Sequence, residues 1–400
     1  GSYIVAAAAR SCGIDSCSLP MQTREDLELG RKYTSSRECF PMICTTGSFI
    51  RKLREPGIDD NKVSFFMPDH NGPCRFGQYN QLQKIIFNRL GKTNVKIVSP
   101  TNDGSYSDIT PGNSNRFRFN AWKGFVAYDL IRKLQQQYRP YEKKQGETNR
   151  VYKESLNRII TSIENNATGL TDALEESKIS FRAIELTGEA RKPVVAIVGE
   201  IFMRDNSFCN GNLVSRLEAL GAETWMAPFS EWFVYSTYRY MRDSIWKGDH
   251  RGYLKSKIQQ FSQHISYSRL FQIMEELIDT EKDIQLDDML SLTSPYIHRH
   301  YDGDPVIAVG TASALARKGV SGICNILPFT CMPGTLICSV SDVFRRNHHN
   351  IPWMDYAYDG QNDASLETRL QAFLYQVRQF SSKSANSKSP VTAWETALNH

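Results

Sequence analysis

The 400-residue sequence has no apolar run of about 18 residues, the length that a membrane-spanning helix needs. It has no long block of lysine or arginine, and its net charge of +5 is scattered along the chain. Neither a Gly-x-Gly-x-x-Gly fingerprint nor a Gly-x-x-x-x-Gly-Lys-Ser/Thr phosphate-binding loop occurs in it. We therefore expect no membrane span, no nucleic-acid partner and no nucleotide site built from motifs of this chain.

The nine cysteines include no Cys-x-x-Cys pair, which disfavours zinc ribbons and ferredoxin-type cluster motifs. Their number is odd, and the sequence shows no secretory signal. This combination indicates metal-binding, redox-active or buried thiols in a cytoplasmic protein, because a disulfide framework belongs to oxidising compartments. Any metal centre must therefore be assembled from cysteines that are far apart in the sequence.

Three cysteines occupy the same kind of position. Cys74 lies between a predicted strand at residues 63–68 and a predicted helix, and Cys331 follows a predicted strand at 322–327 in the same way. Cys39 opens a predicted helix, without a strand immediately before it. Thiolates are stabilised at helix N-termini, and ligands of parallel sheets gather where strands end. By placement alone, these cysteines fit a cluster site, a zinc site or catalytic thiols.

The alternation of predicted strands and helices is typical of an α/β fold with mostly parallel sheets. We predict an α/β unit at 1–115, a helical connector at 116–190, a second α/β unit with a helical insertion at 191–380 and a flexible tail at 381–400. The predicted strands occupy residues 14–19, 63–68, 95–99, 193–200, 224–227, 306–310 and 322–327.

Glu200 and Arg204 follow the clearest of these strands, at a position where functional side chains gather in parallel sheets. We predict catalytic roles for both, and an ordinary surface ion pair is the alternative. Cys324 lies inside an apolar run and is interpreted as a core residue. Cys12 and Cys209 lie beside turns, so either side chain is a further candidate for the site.

Several segments together resemble a known family, in one order along the chain. They are residues 38–41 (Glu-Cys-Phe-Pro), 45–47 (Thr-Thr-Gly), 72–79 (Gly-Pro-Cys-Arg-Phe-Gly-Gln-Tyr), 199–204 (Gly-Glu-Ile-Phe-Met-Arg), 328–334 (Pro-Phe-Thr-Cys-Met-Pro-Gly) and 359–361 (Asp-Gly-Gln). The sequence resembles the carboxy-terminal part of the large activase-related proteins of the 2-hydroxyacyl-CoA dehydratase superfamily. The resemblance extends from about residue 3 to 380. The sequence also resembles the double-cubane cluster reductases of that superfamily.

The resemblance implies flavodoxin/Rossmann-like units around an oxygen-sensitive iron–sulfur cluster. It implies Cys39, Cys74 and Cys331 as ligands of a 4Fe-4S cluster. We expect Arg75 and the turn amides near it to stabilise the negative charge of such a cluster. A double cubane would need more cysteines, and Cys12 or Cys209 would then be added.

The resemblance also implies partners. Electrons would come from ATP-hydrolysing activase domains, which we expect upstream in the same polypeptide because the chain begins inside a predicted helix. The substrate would be a small molecule or an acyl-CoA, although no CoA-binding pattern is recognisable here. A homodimer is the oligomeric state that we consider. The alternatives are a binding or scaffolding module without redox chemistry, and a structural zinc protein.

Overall fold

A computed structural model describes residues 1–35, 37–70, 72–100, 112–278, 286–361 and 365–386, with side chains as far as residue 383. The strands are β1 (Ser64–Phe66), β2 (Lys96–Val98), β3 (Val194–Gly199), β4 (Glu223–Met226), β5 (Gly322–Pro328) and β6 (Trp353–Tyr358). The α-helices are α1 (Ser2–Arg10), α2 (Arg24–Tyr33), α3 (Phe40–Leu53), α4 (Tyr79–Arg89), α5 (Ser114–Tyr138), α6 (Glu147–Glu164), α7 (Leu170–Arg182), α8 (Ile201–Asp205), α9 (Leu213–Ala219), α10 (Glu231–Trp246), α11 (His250–Met274), α12 (Leu286–Thr293), α13 (Asp304–Arg317), α14 (Met332–Asn347) and α15 (Leu366–Asn386).

Every described strand pairs in parallel, which confirms the predicted α/β parallel-sheet class. The strands β1 and β2 form a two-stranded sheet, and the other four form a sheet in the order β4-β3-β5-β6. Gly199 ends β3 with a φ of +106°, and a Cβ there would lie 2.2 Å from the carbonyl oxygen of Ile326 in β5. Only glycine fits this close approach, so Gly199 fixes the point at which β3 ends and the chain turns towards Glu200.

Helices cover both faces of the four-stranded sheet. One face packs against α13 and α14, and the other packs against α9 and α15, with Leu27, Phe40 and Ile43 joining the same core. A separate helical core combines α1, α5, α6, α7 and α11. The helices α2 and α3, predicted in the first unit, therefore bury side chains against the second sheet, and α1 packs into the predicted connector.

Two predicted strands are wrong. Residues 14–19 are irregular because α1 occupies their polar groups: Ser16 Oγ donates to the Ala6 carbonyl at 2.9 Å, and the Arg10 guanidinium binds the Ser16 carbonyl. Residues 306–310 belong to helix α13, where Val306 to Gly310 are all buried. A short apolar run does not distinguish a buried strand from a buried helix.

The strand β6 was not predicted. Its inward residues, Met354 and Tyr356, alternate with more exposed ones, and it adds to the edge of β5. At the C-terminus, α15 continues to Asn386, so the first part of the predicted tail is helical, and residues 387–400 lie outside the described part. None of the described helices combines the length and the apolar character needed to cross a bilayer.

Candidate metal centre

The Cys39 turn is the first part of the site. Cys39 is the N-cap residue of α3, and Pro41 occupies the first turn, where its missing N–H costs no hydrogen bond. The side chain is 7% exposed, and the Tyr79 hydroxyl donates a hydrogen bond to its sulfur. Burial raises the pKa of Cys39 to about 11, partly opposed by that hydrogen bond and by the Arg75 charge. The thiol is therefore enclosed, with one donor directed at it.

The Cys74 turn follows the end of β1. Cys74 caps a short 3-10 helix at residues 75–78, and the Phe76 backbone N–H donates to its sulfur at 3.5 Å. The side chain is partly buried, and burial raises the pKa of Cys74 to about 12. The predicted helix thus begins as a 3-10 turn before α4, which directs an N–H towards the sulfur.

The Cys331 turn follows the end of β5. Cys331 is the buried N-cap residue of α14, and the Gly334 N–H donates to its sulfur at 3.4 Å. Thr330, immediately before it, has a φ of +64°, a left-handed conformation that is uncommon for a residue with a Cβ. Burial raises the pKa of Cys331 above its ordinary value. Backbone strain therefore marks the turn that sets the position of this thiol.

Arg75 joins the three turns. Its Nη1 donates to the Arg37 carbonyl at 3.0 Å, and its Nη2 donates to the Thr330 carbonyl at 2.8 Å. One guanidinium that follows Cys74 therefore holds the backbone two residues before Cys39 and one residue before Cys331. The charge of Cys39 also contributes to the raised pKa of both Cys74 and Cys331. The three turns converge around one place.

The charges of two carboxyl groups act on all three thiols. Glu200 and Asp304 both contribute to the raised pKa of Cys39, Cys74 and Cys331. Burial, and then the charge of Glu200, raises the pKa of Asp304 to about 8. Asp304 was not predicted as a site residue, because it lies just before residues 306–310, which were predicted as a strand and belong to helix α13. Tyr79 was not predicted either, although it comes five residues after Cys74, at the end of the segment 72–79.

The predicted catalytic pair has structural contacts that the sequence did not reveal. Glu200 is the N-cap residue of α8, and its carboxylate accepts the N–H groups of Phe202 at 3.1 Å and Met203 at 2.8 Å. The Arg204 guanidinium donates to the Ala227 carbonyl at 2.6 Å and to Glu231 at 2.8 Å, with its side chain 4% exposed. Arg204 is thus buried in an ion pair with Glu231, and the alternative of a surface ion pair is wrong. Catalytic roles for the two remain a prediction.

The other cysteines lie in separate surroundings. Cys209 is buried beside Cys44 in the core between the four-stranded sheet and α9. Cys12 borders the helical core, where its sulfur contacts the Asn113 carbonyl at 3.9 Å. Cys324 is fully buried inside β5, as predicted for a core residue. The structure therefore brings the turns that carry Cys39, Cys74 and Cys331 together around Arg75, and it places Cys12 and Cys209 in apolar packing.

The chemistry of the donor set fits an iron–sulfur cluster. Within the described ranges, no group of three or more His, Cys, Asp or Glu side chains is already arranged around a single ion position. Cysteine thiolates are the ligands of such clusters, and hydrogen bonds to sulfur together with restricted exposure set the reduction potential. Each of the three sulfurs here accepts one hydrogen bond, and each is at least partly buried.

A scan against protein-family models and a search of the curated proteins each found no match to this chain. The resemblance to the 2-hydroxyacyl-CoA dehydratase superfamily therefore remains a prediction.

His70, close to the Cys74 turn, gives a prediction for stability. Its Nδ1 lies 3.4 Å from the Arg239 guanidinium, and burial, with the Arg239 charge, lowers the pKa of His70 to about 4. An unfolded histidine titrates near 6.5, so between these values the unfolded chain binds more protons and stability falls as the pH falls. Going from pH 7 to pH 5 is expected to remove about 1–2 kcal/mol through this group.

The measurement is urea unfolding of the wild type and of His70→Gln at both pH values. Glutamine keeps a polar contact for Arg239 but does not titrate. The loss of stability between pH 7 and pH 5 should be smaller in His70→Gln by about 1–2 kcal/mol. An identical loss in both proteins would show that His70 is not held neutral in the folded chain.

Proposed function

We propose that this chain is the iron–sulfur component of a low-potential reductase or dehydratase system that is driven by ATP hydrolysis in a partner domain. One observation carries the proposal: three cysteines from distant parts of the sequence cap three helices whose turns are joined by Arg75. If the three cysteines were only core residues, no charged side chain would be needed to bond the backbone beside them.

Cys39, Cys74 and Cys331 would hold the cluster, which when bound would supply one-electron chemistry at low potential. Three protein thiolates leave one position of a 4Fe-4S cluster open for water, another ligand or substrate. The residues of the chain act on the surroundings of the sulfurs. The Phe76 and Gly334 N–H groups and the Tyr79 hydroxyl stabilise negative charge on them, and the fold limits the access of water.

The charges around the site act in opposite directions. Arg75 favours the thiolate form of Cys39, whereas Glu200 and Asp304 disfavour it. Added negative charge near a cluster makes its reduction harder, so Glu200 favours a low potential when it is ionised, whereas Asp304, whose pKa is raised to about 8, does so mainly above that pH. A low potential requires a strong electron donor, which supports a donor coupled to ATP hydrolysis. The sequence has no phosphate-binding loop of its own, so that donor would be an activase domain elsewhere.

The remaining parts of the proposal follow from the resemblance. The substrate would be a small molecule or an acyl-CoA, Glu200 and Arg204 would act on it, and the protein would work in a cytoplasmic, reducing compartment. The described cysteines are all free thiols, which suits such a compartment.

Anaerobic reconstitution with iron and sulfide tests the proposal. We expect about four irons and about four sulfides per chain, and a spin-resonance signal after reduction with a low-potential reductant. About eight irons would favour a double cubane. Zinc with tetrahedral sulfur coordination would select the structural zinc alternative. A loaded chain that no ATP-driven donor reduces would favour the scaffolding alternative, and iron-free protein would overturn the proposal.

A further inference from the structure

Helix α11 presents a narrow apolar stripe to solvent. Leu254, Ile258, Phe261 and Ile265 are 61%, 63%, 67% and 37% exposed. Their spacing of four, three and four residues places them within about 60° of one another around the helix axis. We call these four residues the α11 seam. Exposed large apolar residues in one continuous line are unusual on a protein surface and mark interaction sites.

The seam does not contribute to holding α11 in place. The buried residues of the helix lie on its opposite side and include Gly252, Ser256, Gln263, Leu270 and Phe271. That side packs against α10, α5 and α7. The helix is therefore fixed by its inner face, and the four seam side chains are available for a partner.

The charges beside the seam have one sign. Residues 250–274 contain Arg251, Lys255, Lys257 and Arg269 but no aspartate or glutamate. At 100° per residue, Arg251 and Lys255 lie along one edge of the seam and Lys257 lies along the other. All three are exposed. The surface is therefore apolar along its centre and positive along both edges.

We propose that the α11 seam binds an acidic amphipathic helix of a partner protein. The spacing of four and three is that of the a and d positions of a coiled coil, where the side chains of one helix fit between those of another. The seam extends over twelve residues, from Leu254 to Ile265, or about 16 Å along the axis, which is three turns of a partner helix. Glutamate or aspartate at the flanking positions of that helix would pair with the basic edges.

Two other occupants fit less well. A second copy of the chain would bring Arg251, Lys255 and Lys257 against the same three residues, and like charges at such positions repel. A membrane surface calls for a broad apolar face, of the order of 100° or more, whereas the seam covers about 60°. The narrow width and the single sign of charge both favour an acidic helix.

The experiment uses two designed helical peptides of 21 residues with the same leucines at the a and d positions. One carries glutamate and the other carries lysine at the flanking positions. Fluorescence anisotropy with the full chain should show that the glutamate peptide binds at least about tenfold more tightly, and that added salt weakens its binding.

Substitutions at the seam locate the binding. Phe261→Ser and Ile258→Ser should each weaken the binding of the glutamate peptide by about tenfold or more. The double variant Lys255→Glu with Lys257→Glu should bind the lysine peptide more tightly than the glutamate peptide. Tyr375→Ser on α15, where Tyr375 is 62% exposed, is the matched control and should change nothing. Since all these side chains are exposed, the unfolding temperature should stay within a few degrees of wild type.

Other outcomes would overturn the proposal. Equal binding of the two peptides, or none by the folded chain, would contradict an acidic partner helix. Binding to phosphatidylserine vesicles that is lost in Phe261→Ser would assign the seam to a membrane. A dimer in sedimentation that dissociates in Phe261→Ser would assign it to a second copy. The result is independent of the iron content, so it stands or fails separately from the proposed cluster.

Discussion

Replacing Cys39, Cys74 or Cys331 with alanine is expected to remove most of the iron that the wild-type chain binds on anaerobic reconstitution, from about four per chain to below about one. Each of these cysteines is the N-cap residue of a helix in one of the three turns that Arg75 joins. A cluster with only two protein thiolates is more open to water and exchange than one held by three. Iron and sulfide analysis, with the visible absorption of the reconstituted protein, measures the loss.

Matched controls separate ligand loss from a general effect of removing cysteine. Cys324→Ala removes a fully buried thiol within β5, and Cys44→Ala removes one within α3. Both should retain about four irons, even though each leaves a small cavity and lowers stability by about 1 kcal/mol. Cys209→Ala and Cys12→Ala test the double-cubane alternative, and full iron content in both would restrict the site to the three turns.

The contrary result is equally specific. If any one of the three alanine variants kept the iron content of the wild type, that cysteine would not be a ligand. If Cys324→Ala lost as much iron as Cys74→Ala, the loss would reflect disturbed folding and not the removal of a ligand. Circular dichroism on each variant before reconstitution identifies that case.

The positions of the three cysteines were predictable because each one depends on local chain features. A β-rich apolar run, a proline near the cysteine and a helical pattern after it together predicted the turns at Cys74 and Cys331. That the turns meet was not predictable from local features. The contact depends on Arg75 reaching the carbonyl of Thr330, 255 residues away. Only the resemblance suggested it beforehand.

The wrong predictions for residues 306–310 and for Arg204 also arose because the deciding contacts are not local in the sequence. The helix α13 is buried over nearly its whole circumference, so its apolar run lacks the amphipathic period by which a helix is recognised. This error concealed Asp304, because the helix that begins at Asp304 was predicted as a strand that starts two residues later. Arg204 was read as a side chain at a strand end, but its partner Glu231 lies 27 residues further on, beyond any local pattern.

Replacing Arg204 with methionine is expected to destabilise the chain by about 3–5 kcal/mol. The ion pair that it forms with Glu231 is buried, with the two side chains 4% and 9% exposed, and Glu231 also accepts a hydrogen bond from Thr311 at 2.8 Å. Removing only the guanidinium leaves the carboxylate of Glu231 buried without its main partner. Urea unfolding of the variant and the wild type measures the difference.

The double variant Arg204→Met with Glu231→Leu is expected to recover most of that loss, because it leaves no unpaired charge in the interior. It also gives a folded chain in which to test the predicted catalytic role. Glu231 and Thr311 line a cleft of about 170 Å³ between α10, α11, α12 and α13, so Arg204 connects the end of β3 to this cleft. If the single variant lost less than about 1 kcal/mol, the pair would not be a structural element. A double variant that is stable and loaded with iron but unable to reduce substrate would assign the Arg204–Glu231 pair to the reaction.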